Sequence, residues 1–187
     1  MSNDSLINRM VRAARLDKAF YNEVEADTSL NTQALMVVII GAVAAGLSSL
    51  IGGIFDGFGQ ALIDLVVSVV LVILGYYIWA YVTYFVGTRF FGGQAEPGEL
   101  LRTLGFAYAP QVLNVLGFIP CIGWLISVAV AIWTLVAGFV AVREALDIDT
   151  GKTLITVIVG WLIIFIVTMI LATIFGVGAF AVSALTS

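Results

Sequence analysis

The stretch YAPQVLNVLGFIPCIGW, residues 108–124, decides how the chain folds because it places prolines and polar side chains inside an otherwise apolar sequence. Hydrophobic residues make up 61% of the 187 residues, and charged residues only 11%. A soluble domain is about one quarter charged, and a chain of this size could not hide so much apolar surface from water. The sequence therefore predicts an all-α, polytopic bundle of membrane-spanning helices, with Phe118 to Gly123 as the corner of a helical hairpin.

Five apolar segments follow a polar N-terminal segment. The predicted organisation is an N-terminal cytoplasmic segment, 1–32, then spans at about 33–54, 61–87, 103–118, 121–142 and 153–181, then an external tail, 182–187. The third span is short, since the 16 residues of 103–118 rise about 24 Å in an α-helix against a hydrocarbon core of about 30 Å.

The distribution of basic residues decides whether the third segment crosses the membrane. If it does, all eight Lys and Arg residues fall on one side, whereas a four-span arrangement moves Arg143 and Lys152 to the other side. Basic residues of short loops stay in the cytoplasm. We therefore predict five spans, with the N-terminus in the cytoplasm and the C-terminus outside.

The N-terminal segment is amphipathic, since its apolar residues recur at steps of three and four and its basic residues lie mostly off that stripe. Two placements are open: a helix on the cytoplasmic membrane surface, or a helix docked on the loops of the bundle. Together with the later loops, this segment supplies the candidate residues for contact with a partner or lipid. These are Arg9, Arg12, Arg15, Lys18, Arg102, Arg143 and Lys152.

Four residues are candidates for a polar function inside the membrane: Tyr108, Gln111, Asn114 and Asp64. Gln111 and Asn114 could line a polar path or a lipid-headgroup pocket, or could bond across helices and hold the bundle together. Asp64 could act in a proton or ion relay, or lie near enough to the interface to stay hydrated. A relay needs a second titratable group, and none is expected at that depth.

The residue inventory argues against an enzyme. The sequence has no histidine and one cysteine, Cys121, so it offers neither the usual acid–base side chain nor a cysteine-based metal cage. The loop DIDTGKT, 147–153, is not a phosphate loop, because leucine stands at position 146, where that motif needs glycine. It is not a calcium loop either, because Gly151 and Lys152 stand where that motif needs Asp or Asn and then Gly. We expect no catalytic site, cofactor or metal, and expect Asp149 or Thr150 to cap the last helix.

The block from Leu104 to Trp161 resembles the Yip family, which is named for interaction with Ypt/Rab GTPases. The resemblance is carried by a Gly-x-Ala-Tyr-x-Pro pattern, an Ile-Pro-x-x-Gly turn, the helix that follows and a lysine in the last loop. The residues are Gly105, Ala107, Tyr108, Pro110, Ile119, Pro120, Gly123, Trp133 to Gly138, and Lys152. The preamble LDKAFYNEVEAD, 16–27, is similar to that of prokaryotic members.

The resemblance implies five membrane helices with a cytoplasmic N-terminus and a non-enzymatic role. Eukaryotic members carry an Asp-Leu-Tyr-Gly-Pro element that this sequence does not contain, so we expect the plasma (inner) membrane of a bacterium or archaeon. The predicted function is a scaffold, adaptor or accessory subunit that binds membrane lipids and another membrane protein or a second copy of itself, with no nucleic acid. The alternative is a small transporter or channel that uses the polar third helix.

Overall fold

The computed structural model describes residues 5–52 and 58–186, apart from the side chains of 52, 60, 61, 64, 168, 171, 172 and 174–186. The described part is helical throughout and contains no strand. Its α-helices are α1 (Leu6–Ala14), α2 (Lys18–Ala26), α3 (Asn31–Gly52), α4 (Phe58–Phe91), α5 (Pro97–Ala107), α6 (Gly123–Leu146) and α7 (Thr150–Thr186), with 3₁₀ helices at Thr28–Leu30 and Ala109–Phe118.

Four helices of the described part are long and apolar enough to cross a membrane: Thr28–Ile51, Leu65–Phe91, Gly123–Leu146 and Thr150–Val167. Helices α3, α4, α6 and α7 all extend beyond the predicted spans at the same end of the bundle. At that end α3, α4 and α6 pack against α5, and α6 also packs against α1 and α2. We call it the α1–α2 end.

The N-terminal segment is docked on the bundle. Phe20, Tyr21 and Val24 of α2 are fully buried, and the Phe20 ring meets Phe106 of α5 edge to face with centroids 5.2 Å apart. The Tyr21 hydroxyl donates to the carbonyl of Ala13 at 3.2 Å. The apolar stripe of α2 is therefore used for packing within the protein, which favours the second of the two placements considered above.

The third predicted span is not one α-helix, and this corrects the prediction. Helix α5 ends at Ala107, and Ala109–Phe118 continues as a 3₁₀ helix between α3 and α6. Pro110 cannot donate a backbone hydrogen bond, and the Gln111 N–H bonds to the Tyr108 carbonyl at 2.8 Å. Since a 3₁₀ helix rises about 2.0 Å per residue against about 1.5 Å in an α-helix, the segment reaches further than an α-helix of equal length.

The helices approach each other most closely at small residues. A Cβ on Gly105 would lie 2.8 Å from the Cβ of Ala34, and one on Gly41 would lie 2.8 Å from the Cβ of Gln111. Gly41 of the first span therefore packs within the chain, against Gln111. These contacts bring the backbones of α3, α5 and the 3₁₀ helix close together, as is usual in membrane bundles.

The turn after the 3₁₀ helix is tight. The Gly123 N–H donates to the Ile119 carbonyl at 2.8 Å, and a Cβ on Gly123 would lie 1.9 Å from the Gly117 carbonyl oxygen. Cys121 adopts a positive φ of 68°. Only glycine fits at position 123, so the chain reverses between Phe118 and Gly123 as predicted. We call this the 119–122 end of the bundle.

Candidate functional site

All eight basic residues lie at the α1–α2 end of the bundle. They occupy α1, the start of α2, the last turn of α4, α5, the last turn of α6 and the first turn of α7. The residues are Arg9, Arg12, Arg15, Lys18, Arg89, Arg102, Arg143 and Lys152. The fold therefore gathers residues that are distant in sequence into one cationic end.

Arg12 connects α1 to α2. Its Nε donates to the Asp17 carboxylate at 2.9 Å, and its Nη1 and Nη2 donate to Glu23 at 2.9 and 3.0 Å. Its guanidinium carbon lies 4.9 Å from the centroid of the Phe20 ring. Hydrogen bonding to Arg12 lowers the pKa values of Asp17 and Glu23 below their ordinary range. Arg12 therefore holds the helix pair together as well as contributing charge.

Arg102 is buried, with 5% of its surface exposed. Its Nε donates to the Val24 carbonyl at 3.0 Å, its Nη2 to the Glu25 carbonyl, and its Nη1 to the Asn31 side chain at 3.3 Å. The two carbonyls belong to the last turn of α2, where a cation also meets the negative end of the helix dipole. We therefore leave Arg102 out of the contact surface: it anchors α2 and does not face a partner.

The remaining basic residues are exposed or half-buried. Arg9 donates to the Gln33 side chain, and Lys152 lies 3.6 Å from the Asp149 carboxylate. Arg15 and Lys18 are exposed and pair with no residue in the part of the chain that the structure describes. We use the term contact surface for the predicted set without Arg102, namely Arg9, Arg12, Arg15, Lys18, Arg143 and Lys152.

Helix α1 also has an apolar face. Ile7 is 71% and Val11 is 42% exposed. The indole N–H of Trp133 on α6 donates to the Ala14 carbonyl at 2.8 Å, which ties the end of α1 to the bundle. A cavity of about 420 Å³ lies between α1, α3, the 3₁₀ helix and α6, with Met10, Pro110 and Trp133 in its wall. The apolar face of α1 thus continues the lipid-facing surface of the bundle.

Acidic side chains surround Glu25 at the same end. Burial, and then the charges of neighbouring acids, raise the pKa of Glu25 to about 6. The acids that raise it are Asp147, Glu99 and Glu144, while Arg102 lowers it. Glu25 was not among the candidate residues selected from the sequence. The acids that raise its pKa lie on α5 and α6 or just after α6, far away in sequence, so the raised pKa could not be predicted from the sequence.

The loop before α7 has the predicted cap. The Asp149 carboxylate accepts hydrogen bonds from the backbone N–H groups of Gly151 and Lys152 at 2.9 and 3.1 Å. These bonds lower the pKa of Asp149 below its ordinary value. Asp149 therefore has a local role in starting the helix, and in the part of the chain that the structure describes no group of acids or Cys121 forms a metal-binding cluster.

The predicted polar residues of the third segment line up along the 3₁₀ helix. Gln111, Asn114 and Gly117 are spaced by three, and a 3₁₀ helix repeats every three residues, so they share one face. The amide of Asn114 donates to the Gln111 side chain. The two residues therefore bond to each other rather than across helices. Their face meets an open cavity of about 310 Å³ between α3 and α6.

Tyr108 does not join that face. The Tyr108 ring packs edge to face on Tyr76 and Trp79, with centroids 5.8 and 6.1 Å away. The side chain of Asp64 lies outside the described residues, so its prediction stays open. Sequence reasoning missed Trp79, whose ring occupies the space left by two glycines. It also left Gly117 out of the polar face, although Gly117 continues the three-residue spacing of Gln111 and Asn114.

Comparison with known proteins gives one match. The model of the Yip1 domain matches residues 16–184, which includes α2 to α7 and nearly all of the described chain. No curated protein and no solved structure matches the chain at a significant level.

Proposed function

Because the chain belongs to the Yip1 domain family, we propose that it is a five-span, non-enzymatic membrane protein that acts as a scaffold, adaptor or accessory subunit. Its partners are membrane lipids and another membrane protein or a second copy of the chain. We propose the plasma membrane of a bacterium or archaeon as its location. Residues 1–32 form its cytoplasmic segment, 33–181 its membrane domain and 182–187 its external tail.

The dimensions of the third segment support five spans. The five residues 103–107 are α-helical and the ten residues of Ala109–Phe118 are in the 3₁₀ helix. They rise about 28 Å together, close to the roughly 30 Å of a hydrocarbon core. The gathering of all eight basic residues at the α1–α2 end supports a cytoplasmic position for that end.

Exposed cationic and exposed apolar side chains share the α1–α2 pair, and this combination carries the adaptor proposal. Arg15 and Lys18 are exposed at one end of the α1–α2 pair, while Ile7 and Val11 present apolar surface on α1. A basic amphipathic helix gains from anionic lipid headgroups, about 1 kcal/mol for each basic residue near the surface. The same two-sided surface suits a membrane-protein partner with an acidic patch.

The proposal is tested by gentle purification from the native membrane, with quantitative mass spectrometry of the retained proteins and anionic lipids. We expect the double variant Arg15→Glu, Lys18→Glu to retain less of a stoichiometric partner or of anionic lipid, by about tenfold or more, since two favourable charges become unfavourable. Arg12 is not replaced, because it bridges Asp17 and Glu23 and its loss would disturb the fold.

The matched control is Arg15→Lys, Lys18→Arg, which keeps both charges and should retain the partner. Equal retention by the charge-reversed and charge-conserving proteins would contradict the proposed contact surface.

A small transporter or channel is the second candidate, favoured by the polar cavity that Gln111 and Asn114 face. The test is flux into proteoliposomes. Flux that occurs with the parent protein and is lost with the double variant Gln111→Leu, Asn114→Leu would favour this function over the first.

A further inference from the structure

A polar cavity of about 310 Å³ lies at the 119–122 end, in a wall that is otherwise apolar. Three elements supply its polar atoms: α3, the 3₁₀ helix and α6. The side chains are Ser48, Ser49, Gln111, Asn114 and Ser127. None of the lining residues is ionisable, and the contact surface lies at the opposite end of the bundle. An adaptor role does not account for this cavity.

Gly117 lines the cavity, and its lack of a side chain leaves space there. A Cβ at this position would lie 2.8 Å from the Ser48 hydroxyl oxygen and 3.5 Å from that of Ser127. Two hydroxyls from different helices therefore approach the same point on the 3₁₀ helix. The three-residue repeat places Asn114 one turn away on the same face, so these polar groups surround a single space.

The polar groups are not satisfied by one another. Asn114 donates its amide to Gln111, but its own oxygen is buried and finds no hydrogen-bond partner among the described residues. A buried acceptor without a donor is unfavourable, and at this depth the bilayer offers none. Ser48 and Ser127 form no hydrogen bond with another described residue. A guest that donates to Asn114 and accepts from serine would satisfy these groups.

We propose that this cavity binds an uncharged, hydroxyl-bearing group of the glycerol type. A hydroxyl donates and accepts at once, which is what the Asn114 oxygen and the serine hydroxyls need together. An ester or ether of the same size has no donor for Asn114. A phosphate or carboxylate would find no cation in the lining. The source is either free glycerol or the free hydroxyl of a diacylglycerol, and both present the same chemistry.

The test uses the full chain in phosphatidylcholine nanodiscs, because that lipid carries no hydroxyl group. Binding of 1,2-dioctanoylglycerol is compared with binding of the same lipid acetylated at its free hydroxyl, by native mass spectrometry. Free glycerol is compared with its trimethyl ether by saturation-transfer NMR. We expect the hydroxylated member of at least one pair to bind at least tenfold more tightly. The lipid pair reports a lipid ligand, and the glycerol pair reports a soluble one.

Equal binding within both pairs, or no binding of any probe, would overturn the proposal, since the cavity then does not recognise a hydroxyl group. This comparison needs no variant. In addition, Asn114→Leu should weaken binding of the preferred probe about tenfold, and Gly117→Ala should do so by placing a methyl group between the hydroxyls. The matched control is Asn22→Leu, the same change at an exposed position of α2. Unchanged preference in Asn114→Leu would also overturn the proposal.

Discussion

At the scale of single residues, two glycines on different helices make room for the indole of Trp79. A Cβ on Gly138 of α6 would lie 2.3 Å from its Cη2, and one on Gly160 of α7 would lie 2.9 Å from its Cδ1. Trp79 belongs to α4 and is 4% exposed. One side chain therefore fixes the distances between three helices, and an added methyl group at either glycine must displace it.

We predict that Gly138→Ala lowers the free energy of unfolding by about 1–3 kcal/mol, the usual cost of overpacking a core. Chemical or thermal unfolding in detergent measures it. Gly75→Ala is the matched control, because a Cβ at that position would lie 4.0 Å from its nearest neighbour, the Cγ2 of Ile164. Trp79→Phe, which removes the clashing atom, should reduce the cost of Gly138→Ala. Equal stability of Gly138→Ala and Gly75→Ala would show that Trp79 does not set the spacing.

The raised pKa of Glu25 predicts how this residue changes the stability of the fold with pH. Its pKa in the folded protein is about 6 against an ordinary 4.5, so ionisation costs the folded state more than the unfolded state. The unfavourable contribution is absent below about pH 4.5 and grows as the pH rises through 6. Glu25→Gln should therefore be more stable than the parent at pH 7.5, and of similar stability at pH 4.5. Unfolding at both pH values measures this.

Glu23→Gln is the contrasting control. Its pKa is lowered by the hydrogen bonds to Arg12, so its carboxylate stabilises the fold above its ordinary pKa and loses that effect as the pH falls. Glu23→Gln should therefore be less stable than the parent at pH 7.5. If both variants were more stable than the parent at pH 7.5, or both less stable, the environments assigned to Glu25 and Glu23 would be contradicted.

At the scale of elements, α2 depends on α5, although 77 and 78 residues separate the bonded positions of the two helices. The last turn of α2 has no basic residue of its own, and Arg102 of α5 supplies the cation that binds its carbonyls. Leu100 and the residues from Arg102 to Ala107 of α5 are also buried. Helix α2 is thus held at both ends, by Arg12 at one and Arg102 at the other.

Arg102→Met should free α2 from the bundle locally. Hydrogen bonds that involve a charged group contribute about 1.5–3 kcal/mol each, so a loss of about 3 kcal/mol raises hydrogen exchange of the α2 amides roughly 100-fold. Exchange measured by mass spectrometry on peptides containing Phe20 and Tyr21 tests this. Arg89→Met, at an exposed position of α4, should leave exchange in α2 unchanged. Equal hydrogen exchange of the α2 amides in both variants would show that Arg102 does not anchor α2.

At the scale of the whole molecule, the single cysteine offers a test of topology. Cys121 is exposed in the turn at the 119–122 end, and Asp149 is exposed at the α1–α2 end. In a five-span protein the two positions lie on opposite sides of the membrane. In a four-span protein, where the third segment does not cross, Cys121 would share a side with α1.

We predict that a membrane-impermeant maleimide labels Cys121 from outside intact cells or right-side-out vesicles. In the variant Cys121→Ser, Asp149→Cys, labelling should require inverted vesicles. Labelling of Cys121 only in inverted vesicles would contradict the proposed combination of five spans and a cytoplasmic N-terminus.

The sequence by itself determined that this is an all-helical membrane protein, because apolar content is a property of the chain that no folding can change. Its motifs around Tyr108 and Pro120 identified the Yip family. The tight turn at Gly123 and the cap at Asp149 were also determined locally, since each depends on residues within a few positions. Only the tertiary structure decided that Arg102 faces inward, that Glu25 is surrounded by acids, and that Gln111 and Asn114 face a cavity with Ser48 and Ser127. Each of these depends on side chains brought together from distant positions, and burial and hydrogen-bond partners arise only when helices pack.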